Sequence, residues 1–109
     1  MNVERRPEFR AAILTPEPGD DPADLEDRIH DEVVASRRAG DETALAQVVL
    51  DLTGVADMGT WLKAVGPQVP DCNLRMAVGE KACLVARTLG LTAVFEIYAD
   101  VDSALRMGV

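Results

Sequence analysis

Residues that carry chemistry or covalent cross-links are scarce in this sequence. Among 109 residues there are one histidine and two cysteines, and aromatic residues make up 4 % of the chain. Two cysteines, Cys72 and Cys83, do not make a disulfide framework. Together with the one histidine they give three zinc ligands, so a zinc site would also need a carboxylate. The core must therefore be aliphatic, and we expect neither a metal site nor a cofactor.

Basic residues and long apolar segments are also few. Nineteen aspartates and glutamates outnumber eleven lysines and arginines, which gives a formal net charge of −8. A phosphate backbone requires clustered basic side chains, so this balance argues against nucleic acid and anionic membranes as partners. No apolar run approaches the roughly 20 residues of a membrane span, and residues 1–10 lack the apolar segment of a secretory signal. We therefore expect a protein of the reducing cytoplasm.

Catalytic constellations are lacking as well. A nucleophile needs a base within hydrogen-bond reach, and His30 lies among acidic residues, away from the apolar stripe of its predicted helix. Asp71 beside Cys72 would raise the pKa of that thiol, which argues against a reactive thiolate. Gly54 and Gly59 are not followed by the lysine of a phosphate-binding loop. The sequence therefore offers no candidate for catalysis, and we expect that the protein is not an enzyme.

Strand and helix patterns alternate along the chain. Apolar or alternating runs predict strands at residues 9–15, 47–53, 74–78 and 93–98. Helices are predicted at residues 21–38, 61–65, 80–89 and from residue 100 onward. The polar residues 1–8 are expected to be poorly ordered or to form a short edge strand. Because alternating strands and helices are typical of a parallel sheet, we expect one α/β domain, residues 1–109, with four or five mostly parallel strands.

Two of the predicted helices have distinct sequence signals. Asp21 is a typical N-cap for the first helix, in which Leu25, Ile29 and Val33 recur every four residues as one apolar stripe. The apolar positions of the helix at residues 80–89 are predicted to be Ala82, Leu84 or Val85, and Leu89.

Thr60 is the hydroxyl of greatest interest in the sequence. It lies between Gly59 and a helix that is predicted to start near Trp61. A helix N-terminus presents free N–H groups and a positive partial charge, so the simplest role for this threonine is an N-cap. A phosphate is also tolerated there; it adds about −1.5 to −2 charge and can block a binding surface.

Four segments of the chain together resemble the STAS domain, the fold of the anti-sigma factor antagonists. They are VVLDLTGV at residues 48–55, LRMAV at 74–78, ARTLGL at 86–91 and AVFEIYADVDSAL at 93–105. The resemblance covers residues 45–107 well, whereas the first 40 residues agree only in element order. It implies a single STAS-like domain with a four- to five-stranded, mostly parallel sheet.

The resemblance also implies a regulatory module that binds proteins. Such domains dock on an anti-sigma factor, often a serine kinase of the histidine-kinase-like ATPase fold, and thereby free the sigma factor. Phosphorylation of a serine or threonine at the start of the second helix, in a motif that is typically Asp-Ser-Ser/Thr-Gly, ends the interaction. Here the residues are Asp57, Met58, Gly59, Thr60 and Trp61. Thr60 lies at or beside the phosphoacceptor position, Gly59 replaces the neighbouring serine, and Trp61 replaces the glycine.

This departure from the motif leaves several interpretations open. The protein is either an antagonist that phosphorylation of Thr60 switches, or a constitutive partner or scaffold in a stress-signalling complex with other STAS proteins. A domain that senses a nucleotide or another small ligand is a further alternative, although no phosphate-binding loop supports it. A homodimer through the N-terminal edge strand also remains open.

The partner-binding surface is expected at the carboxyl edge of the sheet, where α/β folds tend to place their sites. It comprises the loops at residues 16–21 and 54–60 and the start of the following helix. The residues assigned to it are Asp20, Asp21, Gly54, Asp57, Met58, Gly59, Thr60 and Trp61. Its acidic members are expected to meet basic residues of a partner. For Trp61, packing in the core is favoured over a role as an interface anchor.

Overall fold

A five-stranded sheet runs through the part of the chain that the structure describes. The computed structural model describes residues 1–9, 11–38, 46–55, 58–65, 72–93 and 95–106. The strands are β1 (Asn2–Arg6), β2 (Ala11–Thr15), β3 (Ala46–Asp51), β4 (Cys72–Ala77) and β5 (Ile97–Tyr98). They lie in the order β1-β2-β3-β4-β5, with β1 antiparallel to β2 and every other neighbouring pair parallel. The predicted α/β class with a mostly parallel sheet is confirmed, and the predicted N-terminal edge strand is present as β1.

Helices connect or follow the strands. Among the described residues they are α1 (Leu25–Arg38), α2 (Met58–Val65), α3 (Glu80–Thr88) and α4 (Val101–Arg106). Short 3-10 turns lie at Pro7–Phe9, Pro22–Asp24 and Leu91–Ala93.

The sheet is covered on both faces by these helices. The main core lies against α1, α2 and α3, and its buried members are Leu14, Leu25, Ile29, Val48, Leu50, Leu52, Trp61, Met76, Val78, Cys83, Ala86 and Ile97. A smaller cluster lies against α4 and comprises Ala11, Ile13, Val49, Ala104 and Leu105. Successive residues of a strand point to opposite faces, so β3 contributes Val48 and Leu50 to one cluster and Val49 to the other. This double coverage explains the near-continuous apolar pattern of β3.

The first helix forms as its sequence signals predicted. The side chain of Asp21 accepts a hydrogen bond from the backbone N–H of Ala23 at 3.0 Å and caps the 3-10 turn that leads into α1. Leu25, Ile29 and Val33 are all buried. The apolar stripe therefore fixes which side of α1 packs on the sheet.

Helix α2 begins at Met58, whereas the sequence predicted a start near Trp61. The side chain of Met58 packs, partly buried, against the main core, and Trp61 is a buried member of that core. Burial of Met58 favours a helical first turn, which overrides the weak helix propensity of Gly59. Thr60 consequently lies inside the first turn of α2 and is not its N-cap.

Strand β5 is shorter than the predicted strand at residues 93–98. The backbone N–H of Ala93 donates to the carbonyl of Gly90 at 3.2 Å, and that of Phe95 donates to the carbonyl of Leu91 at 2.8 Å. These local turns engage the backbone groups that a longer strand would have paired with β4. Of the described residues in this stretch, Ile97 and Tyr98 are the ones paired with β4.

Helix α3 presents a different face to the core than the sequence predicted. Its buried residues are Cys83 and Ala86, with Ala82 partly buried against the same core. The apolar residues with exposed side chains are Leu84, Val85 and Leu89. Small residues let the helix lie close to the sheet, and the larger ones then point away from it. The prediction that Leu84 or Val85, and Leu89, face inward is therefore wrong.

Among the described residues, one charged side chain is buried in the sheet. Arg75 in β4 is 5 % exposed, and its Nη1 donates to Oε1 of Gln47 on β3. Its Nε lies 4.0 Å from a carboxylate oxygen of Glu96. With its amide oriented to suit both neighbours, Asn73 donates to Glu96 at 3.1 Å and accepts from Nη2 of Arg75 at 2.9 Å. Arg75 thus links three strand or strand-end segments through polar contacts.

Arg75→Ala is expected to lower the free energy of unfolding by about 2–4 kcal/mol, because it removes both the buried side-chain volume and the hydrogen bonds to Gln47 and Asn73. Arg75→Met keeps most of the volume and is expected to lose less. Urea denaturation followed by circular dichroism measures both changes. An alanine variant as stable as the unmodified protein would contradict this role for Arg75.

Candidate functional site

The predicted binding loops meet at one edge of the sheet. Strands β2 to β5 are parallel, so the segments that follow them lie at the same edge. Residue 2 of the antiparallel β1 pairs with Thr15 at the end of β2, which brings Met1 to this edge as well. We define the carboxyl-edge surface as residues 16–21, 52–55 and 58–60. Asp57, which the sequence also assigned to it, lies outside the described residues.

The loop at residues 16–21 is held by Asp20. Its carboxylate accepts a hydrogen bond from the backbone N–H of Glu17 at 2.7 Å and lies 2.8 Å from the amino group of Met1. The carboxylate of Glu17 is 3.5 Å from the same amino group. The hydrogen bonds that Asp20 accepts from the Met1 ammonium and from the Glu17 amide lower the pKa of its carboxyl group. Asp20 therefore orders its own loop through two intramolecular contacts.

Asp21 has a separate role in the same loop. It caps the 3-10 turn Pro22–Asp24 and keeps an exposed side chain. That turn contacts α2, so the first loop lies beside the second helix. The carboxyl-edge surface is therefore continuous from Asp21 to the α2 segment.

The segment after β3 is folded by Asp51. Its Oδ1 accepts hydrogen bonds from the backbone N–H of Thr53 at 3.1 Å and from Oγ1 of Thr53 at 2.6 Å. The next residue, Leu52, is buried, and its N–H donates to the carbonyl of Ala77 at 2.8 Å. Gly54 is exposed beyond this turn. Asp51 therefore orders the backbone of its own loop.

The start of α2 has a buried base and an exposed outer side. Gly59 and Thr60 are exposed, Met58 is partly buried, and Trp61 is 5 % exposed. The predicted packing of Trp61 in the core is confirmed, so the indole supports the surface from beneath. Its participation in partner binding stays a prediction. The first turn of a helix has backbone N–H groups without helical partners, which makes it favourable for a negative charge at Thr60.

Gly54 and Gly59, two of the three glycines of the carboxyl-edge surface, are not required by steric crowding. A Cβ atom added to Gly54 or Gly59 would meet no neighbouring atom within 4 Å, and neither residue has a positive φ. Gly79 and Gly90 differ, since their φ angles are 90° and 76°. The open space above Gly54 and Gly59 leaves the backbone of this surface accessible.

The potential metal ligands of the described residues are not clustered. No group of three or more histidine, cysteine, aspartate or glutamate side chains among them is arranged to hold a metal ion. His30 is exposed on α1, as predicted. Burial raises the pKa of the Cys72 thiol to about 11, an effect that nearby Arg75 reduces. Cys72 also begins β4, at the opposite edge of the sheet.

Among the described residues, no helix is both long and apolar enough to cross a membrane.

Sequence reasoning missed one contact at this edge, between Met1 and Asp20, and one inside the sheet, that of Arg75. The Met1 amino group was not expected beside Asp20, because only the antiparallel pairing of β1 brings them together. The sequence analysis used Arg75 only as one member of the alternating pattern that predicts the strand at residues 74–78. An arginine between Leu74 and Met76, in a strand covered on both faces, is a signal of a buried polar contact.

Comparison with known proteins adds no relative: no family model, curated protein or solved structure matches this chain.

Gly59→Ala is expected to raise the free energy of unfolding by about 0.5–1 kcal/mol, because alanine is the better helix former and the space is open. Gly90→Ala is the matched control, since its positive φ strains any other residue and stability should fall. Thermal or urea denaturation of both variants measures the difference. A loss of stability in Gly59→Ala equal to that in the control would contradict the described geometry.

Asp20→Asn tests how the first loop is held as pH changes. The Asp20 pKa is lowered from 3.8 and the Met1 amine pKa is raised from 8.0 by their contact. The carboxylate contribution is complete above pH 3.8 and disappears as the pH falls through the lowered pKa. The ammonium contribution is complete below pH 8.0 and disappears as the pH rises through the raised pKa.

The stability difference between the unmodified protein and Asp20→Asn should therefore be largest between these two pH values and shrink on both sides. Denaturation midpoints measured across the pH range give the profile, and Asp31→Asn on the exposed side of α1 is the control. A difference that does not vary with pH would show that the ion pair contributes nothing.

Proposed function

We propose that this protein is a non-enzymatic regulatory module of the STAS type that binds a partner protein through the carboxyl-edge surface. The observation that carries the proposal is an exposed threonine, Thr60, in the first turn of α2, where the resemblance places the phosphoacceptor. The sequential α/β order of the described elements agrees with the architecture that the resemblance implies.

The geometry around Thr60 supports a switch at this position. Met58 and Trp61 fix the first turn of α2 from the core side, while the threonine side chain is exposed. A kinase needs a hydroxyl that it can reach, and a partner needs a surface of constant shape. A phosphate on Thr60 would add about −1.5 to −2 charge in the middle of the surface and oppose docking by repulsion and desolvation.

The proposed partner is an anti-sigma factor, in particular a serine kinase of the histidine-kinase-like ATPase fold, in the cytoplasm. The acidic character of the chain, with a net charge of −8, favours basic residues on the partner's docking surface. Asp21 is an acidic residue of the carboxyl-edge surface that is exposed to meet them and is not engaged by the Met1 amine. Asp20 contributes indirectly, because it shapes the loop in which Asp21 lies.

A constitutive version of this function is the second candidate. It is favoured by the buried Trp61, which stands where the family motif has glycine and ties the phosphoacceptor turn to the core. In that version the protein is a permanent component of a signalling complex with other STAS proteins. The two versions share the surface and differ in whether Thr60 is modified.

Thr60→Glu is expected to reduce partner binding about tenfold or more, because it introduces a negative charge at the centre of the proposed interface. The measurement is capture from a lysate of the native host with matched baits, read by quantitative mass spectrometry and followed by calorimetry on the recovered partner. Thr60→Val removes the hydroxyl without adding charge. Thr92→Glu adds the charge at an exposed residue of the 3-10 turn Leu91–Ala93, and both variants should bind normally.

Recovery of a serine kinase that phosphorylates Thr60 and is lost with Thr60→Glu supports the switch. Recovery of STAS proteins that leave Thr60 unmodified supports the constitutive complex. Partner recovery that is the same with Thr60→Glu as with the unmodified bait would overturn the placement of the interface.

A further inference from the structure

We draw no further inference here: the strongest candidate, the surface patch of exposed apolar side chains that Leu84, Val85 and Leu89 form on and just after helix α3, carries none because nothing in the described part of the structure shows what covers it.

Discussion

The fold depends on covering both faces of β3. Val48, Val49 and Leu50 are consecutive and all buried, so the strand must lie between two apolar layers. The main core against α1, α2 and α3 satisfies one face, and the smaller cluster against α4 satisfies the other. With few aromatic residues available, this coverage is achieved by aliphatic side chains, and Trp61 supplies one large ring beneath α2.

The position of the candidate site follows from the same constraint. Parallel strands that are connected through helices end at one edge of the sheet. The topology alone therefore brings the loops after β2 and β3 to the same edge. Polar contacts within each loop then fix its shape: Asp20 holds the first loop, Asp21 caps the turn that follows, and Asp51 folds the segment after β3. The result is an ordered surface on which Thr60 is exposed above a partly buried methionine and a buried tryptophan.

Patterns of hydrophobic periodicity predicted the parts of the fold that local sequence determines. The stripe on α1 and the Asp21 cap each depend on neighbouring residues, and both are confirmed. The face of α3 was predicted wrongly, because periodicity favours large residues inward whereas close packing on the sheet selected Cys83 and Ala86. The contacts of Arg75 and of the Met1 amine connect residues far apart in sequence, so no local pattern identifies their partners. For the site, residue types and loop positions were predictable, but the early start of α2 required knowledge that Met58 packs on the core.

Amide hydrogen exchange of the chain with and without its captured partner shows whether the carboxyl-edge surface binds a protein, as we propose. Complex formation should slow exchange in residues 16–21, in residues 52–55 and in the first turn of α2. The exposed side of α1 should exchange at the same rate in both states. Protection confined to other elements, with these three segments unchanged, would contradict the account.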